Sequence, residues 1–175
     1  MFEEVAKKGR RRPVFEPATT SIEVGLGREA LERMLPHRDP FLMLDAIDLV
    51  DFEQQALRAR RRVAADDPVF AGHFPGDPVY PGVLLIEAIG QSGICLQHLL
   101  RRGDAEVGPD DSPRALRLTK VHHAVFQGAI RPGDEIELRA KCIEDSDYVS
   151  VCAGQVLLDG QVVALAIFEV FMLED

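Results

Sequence analysis

The spacing of apolar positions divides the chain into segments of different kinds. In REALERMLP (28 to 36), Ala30, Leu31, Met34 and Leu35 recur at helical spacing and Pro36 ends the run, which predicts a short helix. FLMLDAIDLVD (41 to 51) and QQALRARRRVA (54 to 64) read as two strands joined by a turn. In the second, Leu57, Ala59 and Val63 alternate with Arg58, Arg60 and Arg62, but Arg61 interrupts the apolar side, so an edge position is expected.

From Pro81 to about Leu100 the pattern changes. GVLLIEAIGQSGICLQHLL is apolar on nearly every side, as expected of a helix that is surrounded. RRGDAEVGPDDSPR (101 to 114) is a polar loop with Gly and Pro, and three further strand segments follow at 115 to 127, 134 to 145 and 148 to 173. The last is expected to split into a hairpin at Asp159-Gly160. The predicted class is α+β, with a curved antiparallel sheet wrapped around one long central apolar helix. Residues 1–27 hold Pro13, Pro17, Gly25 and Gly27 and show no sustained period. They are read as an N-terminal arm with at most a short strand at Ser21 to Val24, and 28–175 as one domain.

Composition narrows the function. A chain of 175 residues with 46% hydrophobic and 28% charged residues is that of an ordinary globular domain. No span is expected to reach the ~20 apolar residues that cross a bilayer, and the N-terminus lacks the apolar run of a secretory signal, so a cytoplasmic protein away from membranes is expected. A net charge of −9 argues against a nucleic-acid partner. The basic runs KKGRRR (7 to 12) and RARRR (58 to 62) are read as solvated segments. Cys95, Cys142 and Cys152 show neither zinc spacing nor a disulfide framework and are expected as buried free thiols.

The chemistry is concentrated in DDPVFAGHFPGDPVYPGVLLIEAIGQSG (66 to 93). Its four prolines and three glycines before residue 83 dictate a fixed loop that ends where the long helix begins. Pro81 suits the first helical turn, and Gly82 lets another molecule approach the backbone where bare N–H groups could hold a developing oxyanion. Glu87, flanked by Leu84, Leu85, Ile86, Ala88 and Ile89, is expected in an apolar setting that favours the protonated acid. Gln91 lies four residues on, on the same helix face, placed to hydrogen-bond that carboxyl. His73 in the loop is the group suited to take a proton near neutral pH. Taken singly, a loop histidine and a helical glutamate have ordinary structural explanations. Together with the Pro-Gly helix start they suit loss of water across the α and β carbons of a thioester, with His73 as base, Glu87 as acid and the Gly82 N–H on the thioester oxygen. That chemistry needs no metal or organic cofactor.

The strings LPHRDPFLMLD (35 to 45), GHFPGDPVYPGVLLIEAIGQ (72 to 91) and IRPGDEIEL (130 to 138) resemble the 3-hydroxyacyl-acyl carrier protein dehydratases of bacterial fatty acid synthesis, the FabZ/FabA-like family. The resemblance runs over roughly residues 28 to 173. It implies a hot-dog fold, a catalytic histidine at His73, a catalytic acid at Glu87, a thioester-binding glycine amide at Gly82 and a supporting glutamine at Gln91. It also implies an acyl carrier protein (or coenzyme A) bearing a 3-hydroxyacyl chain as partner. The two catalytic residues of one site would come from different subunits of a homodimer, three of which can assemble further. Glutamate at position 87, in place of the aspartate of the bifunctional dehydratase/isomerase, points to the dehydration-only branch.

Asp39 replaces the usual aromatic residue of the first string and Tyr80 the usual methionine before the helix, changes expected to reshape the acyl tunnel. VFQGAI (125 to 130) lacks the basic residues that normally precede the PGD turn and would contact an acidic carrier, leaving RARRR or the arm to substitute. The arm and the loop at 101 to 114 are longer than usual, which points to a specialised pathway such as polyketide or aryl polyene synthesis, while the sequence leaves primary fatty acid synthesis open. Two rival readings share the fold: a thioesterase, and a non-catalytic acyl-binding partner subunit. Neither gives His73 and Glu87 together an evident task.

Overall fold

The computed structural model describes residues 2–173. Its elements in chain order are α1 (Phe2–Gly9), β1 (Ile22–Leu26), α2 (Arg28–Met34), β2 (Ala46–Asp51), β3 (Ala56–Arg62), α3 (Val69–Gly72), α4 (Gly82–Arg102), β4 (Leu116–Phe126), β5 (Glu135–Asp145), β6 (Val149–Leu158) and β7 (Gln161–Met172). The seven strands form one sheet in the order β1-β2-β3-β5-β6-β7-β4, antiparallel at every pairing. The long helix lies against one face of it. This is the hot-dog arrangement in the α+β class.

Alternation along β6 and β7 explains how the layers form, because successive side chains of a strand point to opposite faces. Cys152, Ala166 and Phe168 belong to the main core with Ile89 and Leu96 of α4, and Gly154 faces Ile89. Their neighbours Val151, Ala153, Leu165 and Ile167 form a separate cluster with Ala6 on the opposite face. The helix can approach closely because each side contributes a glycine, Gly93 on α4 and Gly154 on β6. A Cβ on Gly93 would lie 2.5 Å from the Phe168 ring, and one on Gly154 would collide with Ile89. The β6–β7 hairpin turns at Asp159 (φ 50°) and Gly160 (φ 77°), the paired positive angles that a two-residue hairpin requires.

Three expectations need correction. The arm contains α1, where Phe2, Val5, Ala6 and Gly9 recur at helical spacing and lean on the outer sheet face. Eight residues interspersed with charges are too short a stretch for periodicity alone to announce a helix. The arm is also fastened along its length. Gln155 donates to the Arg12 carbonyl (2.9 Å) and to the Gly9 carbonyl, and accepts from Val14 N (2.7 Å). Arg139 donates to the Phe15 carbonyl (2.6 Å) and to Glu16 (2.9 Å), and the arm ends in β1, paired to β2.

The second correction concerns β3, which is interior, between β2 and β5. Three of its arginines are met by carboxylates on neighbouring strands, Arg58 by Glu23 at 3.4 Å, Arg62 by Glu135 at 3.0 Å and Arg60 by Asp48, while Arg61 on the other side lies over the Tyr80 ring. Charge on one side therefore does not force a strand to the edge. Third, α4 at 21 residues is long and apolar enough by composition to cross a membrane, although no such span was expected. Ten of its residues, including Leu85, Ile89, Leu96 and Leu99, are buried in the core, so the helix owes its apolar character to the sheet around it. The three cysteines are buried and free, as expected.

Candidate active site

The loop before α4 is held by backbone pairing to the Pro132-Gly133-Asp134 turn. Val63 N donates to Asp134 O (2.8 Å), Gly133 N to Val63 O (2.9 Å) and Tyr80 N to Ile130 O (2.8 Å). Within it the single turn α3 ends at His73, whose N–H donates to Val69 O at 3.0 Å and whose carbonyl accepts from Val79 N at 2.9 Å. The imidazole is fixed as well. Nδ1 lies 2.7 Å from the Val79 carbonyl, and the ring stacks on Phe74 with centroids 4.0 Å apart. A carbonyl only accepts, so Nδ1 carries the hydrogen and the neutral ring presents its lone pair at Nε2. That is the tautomer a general base requires.

Helix α4 starts at Gly82 with Pro81 as its N-cap, so its first amides have no intrahelical acceptor. A Cβ on Gly82 would fall 2.8 Å from the Phe126 ring. Glycine is thus needed here for packing within the chain, in addition to any role of its amide. One turn on, Glu87 Oε1 accepts from Gln91 Nε2 at 2.9 Å, the bond expected from their spacing. Gln91 is wholly buried and has no freedom to turn away: Nε2 also donates to Phe41 O (2.8 Å), and Oε1 accepts from Met43 N (2.8 Å).

The setting of Glu87 differs from the apolar enclosure expected. Its side chain is 30% exposed, and His37 Nε2 stands 3.3 Å from Oε1. His37 was not singled out from the sequence, although it lies in the LPHRDPFLMLD string. Its ring is stacked near Phe41, and its Nδ1 is buried without a partner among the described residues. Glu87 and His37 open on a cleft of about 450 Å³ whose walls include Gly90, Leu116, Leu118 and Phe168. His73 does not line that cleft. Within one chain the structure thus joins Glu87, Gln91 and His37, and Gly82 to the helix start, while His73 stands apart in its loop.

The two substituted positions have distinct surroundings. Tyr80 is 3% exposed, tilted against Phe70 at 5.8 Å, with the Arg61 guanidinium 5.5 Å over its ring. Burial pushes its phenol pKa up. Asp39 is exposed and paired with Arg28 at the surface.

Comparison with known proteins bears on this site. The family model described as a FabA-like domain matches residues 35–167. Proteins named 3-hydroxyacyl-[acyl-carrier-protein] dehydratase FabZ are similar along most of the chain. That of a Nitratiruptor species is 34% identical over 137 residues, covering 78% of this chain and 90% of its own length. That of an Anaeromyxobacter species is 36% identical over 142 residues, covering 80% and 85%. Among solved structures, a chain of the dehydratase heterocomplex ApeI:P from Xenorhabdus doucetiae shares the fold, with a TM-score of 0.63 at 17% identity over 83% of this chain and 91% of that one. The matched span contains the whole loop, the start of α4 and the cleft apart from its Phe168 and Val170 wall, and this chain belongs to the FabA-like family.

Proposed function

We propose that this chain is a hydro-lyase that converts a 3-hydroxyacyl thioester, carried by acyl carrier protein, to the trans-2-enoyl thioester in fatty acid or polyketide-type biosynthesis. The observation that carries the reading is the pair of fixed side-chain geometries: His73 tied through Nδ1 to Val79, and Glu87 held by the immobile Gln91 amide. His73 Nε2 takes the α proton and the Cα electrons move toward the thioester carbonyl, whose oxygen faces the Gly82 N–H. Glu87, in its protonated form, delivers its proton to the β-hydroxyl. The Cβ–O bond breaks, water leaves and the Cα=Cβ bond forms. His73 then loses the extra proton and Glu87 regains one through solvent. No net oxidation or reduction occurs, so the chain's own groups suffice.

His73 and Glu87 must meet for this to happen, and within one chain His73 does not line the cleft on which Glu87 opens. A homodimer supplies the meeting, with His73 of one protomer beside Glu87 of the partner subunit. Strand β4 supports that reading. It pairs with β7 on one side only, and it exposes Leu118 and Val121, with Phe126 at its end. An open strand edge bearing apolar groups is a surface that another strand covers. Three dimers are the larger assembly the family resemblance implies, and a reducing cytoplasm suits the three free thiols.

The test offers the purified protein a 3-hydroxyacyl thioester and follows enoyl product and free thiol together, with His73→Ala and Glu87→Gln as controls. Enoyl formation lost in both variants is expected. Thiol release without enoyl would establish a thioesterase, and neither product would leave a binding subunit.

A further inference from the structure

The two basic runs have different fates. In RARRR, Arg58, Arg60 and Arg62 are matched by Glu23, Asp48 and Glu135 across neighbouring strands, and Arg61 lies over the Tyr80 ring. The run on α1 and the turn after it is not. Lys8 pairs with Glu4 at 2.7 Å, but Lys7, Arg11 and Arg12 have no carboxylate within 4.0 Å among the described residues, and neither does Lys141 of β5. These four cations border a groove of about 810 Å³ on the outer sheet face, with Val5, Val14, Ile143 and Ala153 among its apolar walls.

Two features make this more than a loose basic tail. The backbone beneath it is fixed, since Gln155 holds Gly9, Arg12 and Val14 at once. The arm also touches the segment that leads to the start of α4. Arg10 Nε donates to Gln127 Oε1 (3.2 Å) and Gln127 Nε2 donates to the Arg10 carbonyl (2.8 Å). Gln127 directly follows Phe126, whose ring packs on Gly82 at the start of α4. The arm thus lays its cations beside the VFQGAI segment, which has none of its own.

From this placement we infer that the face formed by α1 and residues 10–12 is the docking surface for the acidic acyl carrier protein that delivers the thioester. The inference rests on the dehydratase reading. A cationic patch on a chain of net charge −9 orients an acidic partner, because the rest of the surface repels it. The apolar walls give a helix of such a partner something to bury, and the arm is joined through Arg10 and Gln127 to the segment that packs on the helix start the thioester must reach. A nucleic acid or a membrane would meet the net negative charge over a wider contact.

The experiment compares the full-length protein with K7E/R11E/R12E and, should that variant fail to fold, with K7A/R11A/R12A. Each is given one 3-hydroxyacyl chain in two forms, on acyl carrier protein and on N-acetylcysteamine. With the carrier, kcat/KM should fall at least about tenfold, mostly through KM, and lose much of its dependence on salt, whereas the small thioester should be turned over as before. Equal effects on both substrates, or none on either, would overturn the proposal. If the unmodified protein dehydrates neither substrate, the dehydratase reading fails by itself. Binding of labelled holo-carrier protein then decides the docking face: loss in the variants supports it, and unchanged binding refutes it. Sedimentation with phosphatidylglycerol vesicles is run in parallel. Vesicle binding lost in the variants while carrier binding is retained would assign the patch to a membrane and overturn the inference.

Discussion

Gln91 donates to Glu87 Oε1 at 2.9 Å while its own oxygen accepts the Met43 amide at 2.8 Å, so one side chain ties the candidate acid to the segment after α2. The orientation of Glu87 and the path of residues 41 to 43 are set by the same buried amide.

Replacing Gln91 with Leu should therefore act on both. Two backbone groups, the part-buried Phe41 C=O and the buried Met43 N–H, would lose their partner, the second at a cost of about 1–3 kcal/mol at most. The acid would be free to rotate, and kcat should fall at least about tenfold on the N-acetylcysteamine substrate. Urea denaturation and steady-state kinetics measure the two effects separately. A variant that is destabilised yet keeps full kcat would show that Gln91 serves the fold alone.

The subunit arrangement predicts complementation. His73→Ala and Glu87→Gln should each be inactive, but co-expression of the two should restore activity. In a random mixture half of the dimers are mixed and each has one intact site, so about a quarter of the normal rate is expected. A co-expressed pair that stays inactive while mixed dimers are demonstrated by mass spectrometry would place both residues in the site of one chain.

Asp51 predicts an acid-sensitive fastening of the arm. Burial pushes its carboxyl pKa up, but hydrogen bonds from Gln54 N (2.8 Å), Gln54 Nε2 (2.9 Å), Ser21 (2.7 Å) and Thr20 (2.8 Å) outweigh burial and leave it well below the usual carboxylate range. A depressed folded pKa means stability that is complete above the unfolded value of about 3.9 and lost as pH falls further toward the folded one. The difference in urea midpoint between the unchanged protein and Asp51→Ala should be constant from about pH 5 to 8 and shrink below about pH 4. A difference that does not change on acidification would mean that Asp51 acts by packing only.

Local patterns made much of this protein legible in its sequence. The 3.6 spacing of 28 to 36, the dense apolar run after Pro81 and the Asp159-Gly160 turn each depend on neighbours a few residues away, and each corresponds to the element observed. The Gln91–Glu87 bond was legible for the same reason, since four residues on a helix are one turn. The loop around His73 was readable as fixed because its prolines and glycines exclude helix and central strand.

What depends on distant parts of the chain was not. That β3 is interior follows from Glu23, Asp48 and Glu135 arriving opposite its arginines, and no local signal carries that. Helix α1 is held by a sheet face more than a hundred residues away in the chain, through Gln155, Leu165 and Ile167. His37 reaches Glu87 only because Gln91 holds the segment after α2 against α4. Residue types and short-range spacing therefore determined α2, α4, the strand segments, the loop and the candidate acid and base. Tertiary packing decided what surrounds Glu87, where the arm's cations lie and that His73 stands apart, because hydrogen bonds and buried contacts between remote segments exist only once the chain has folded.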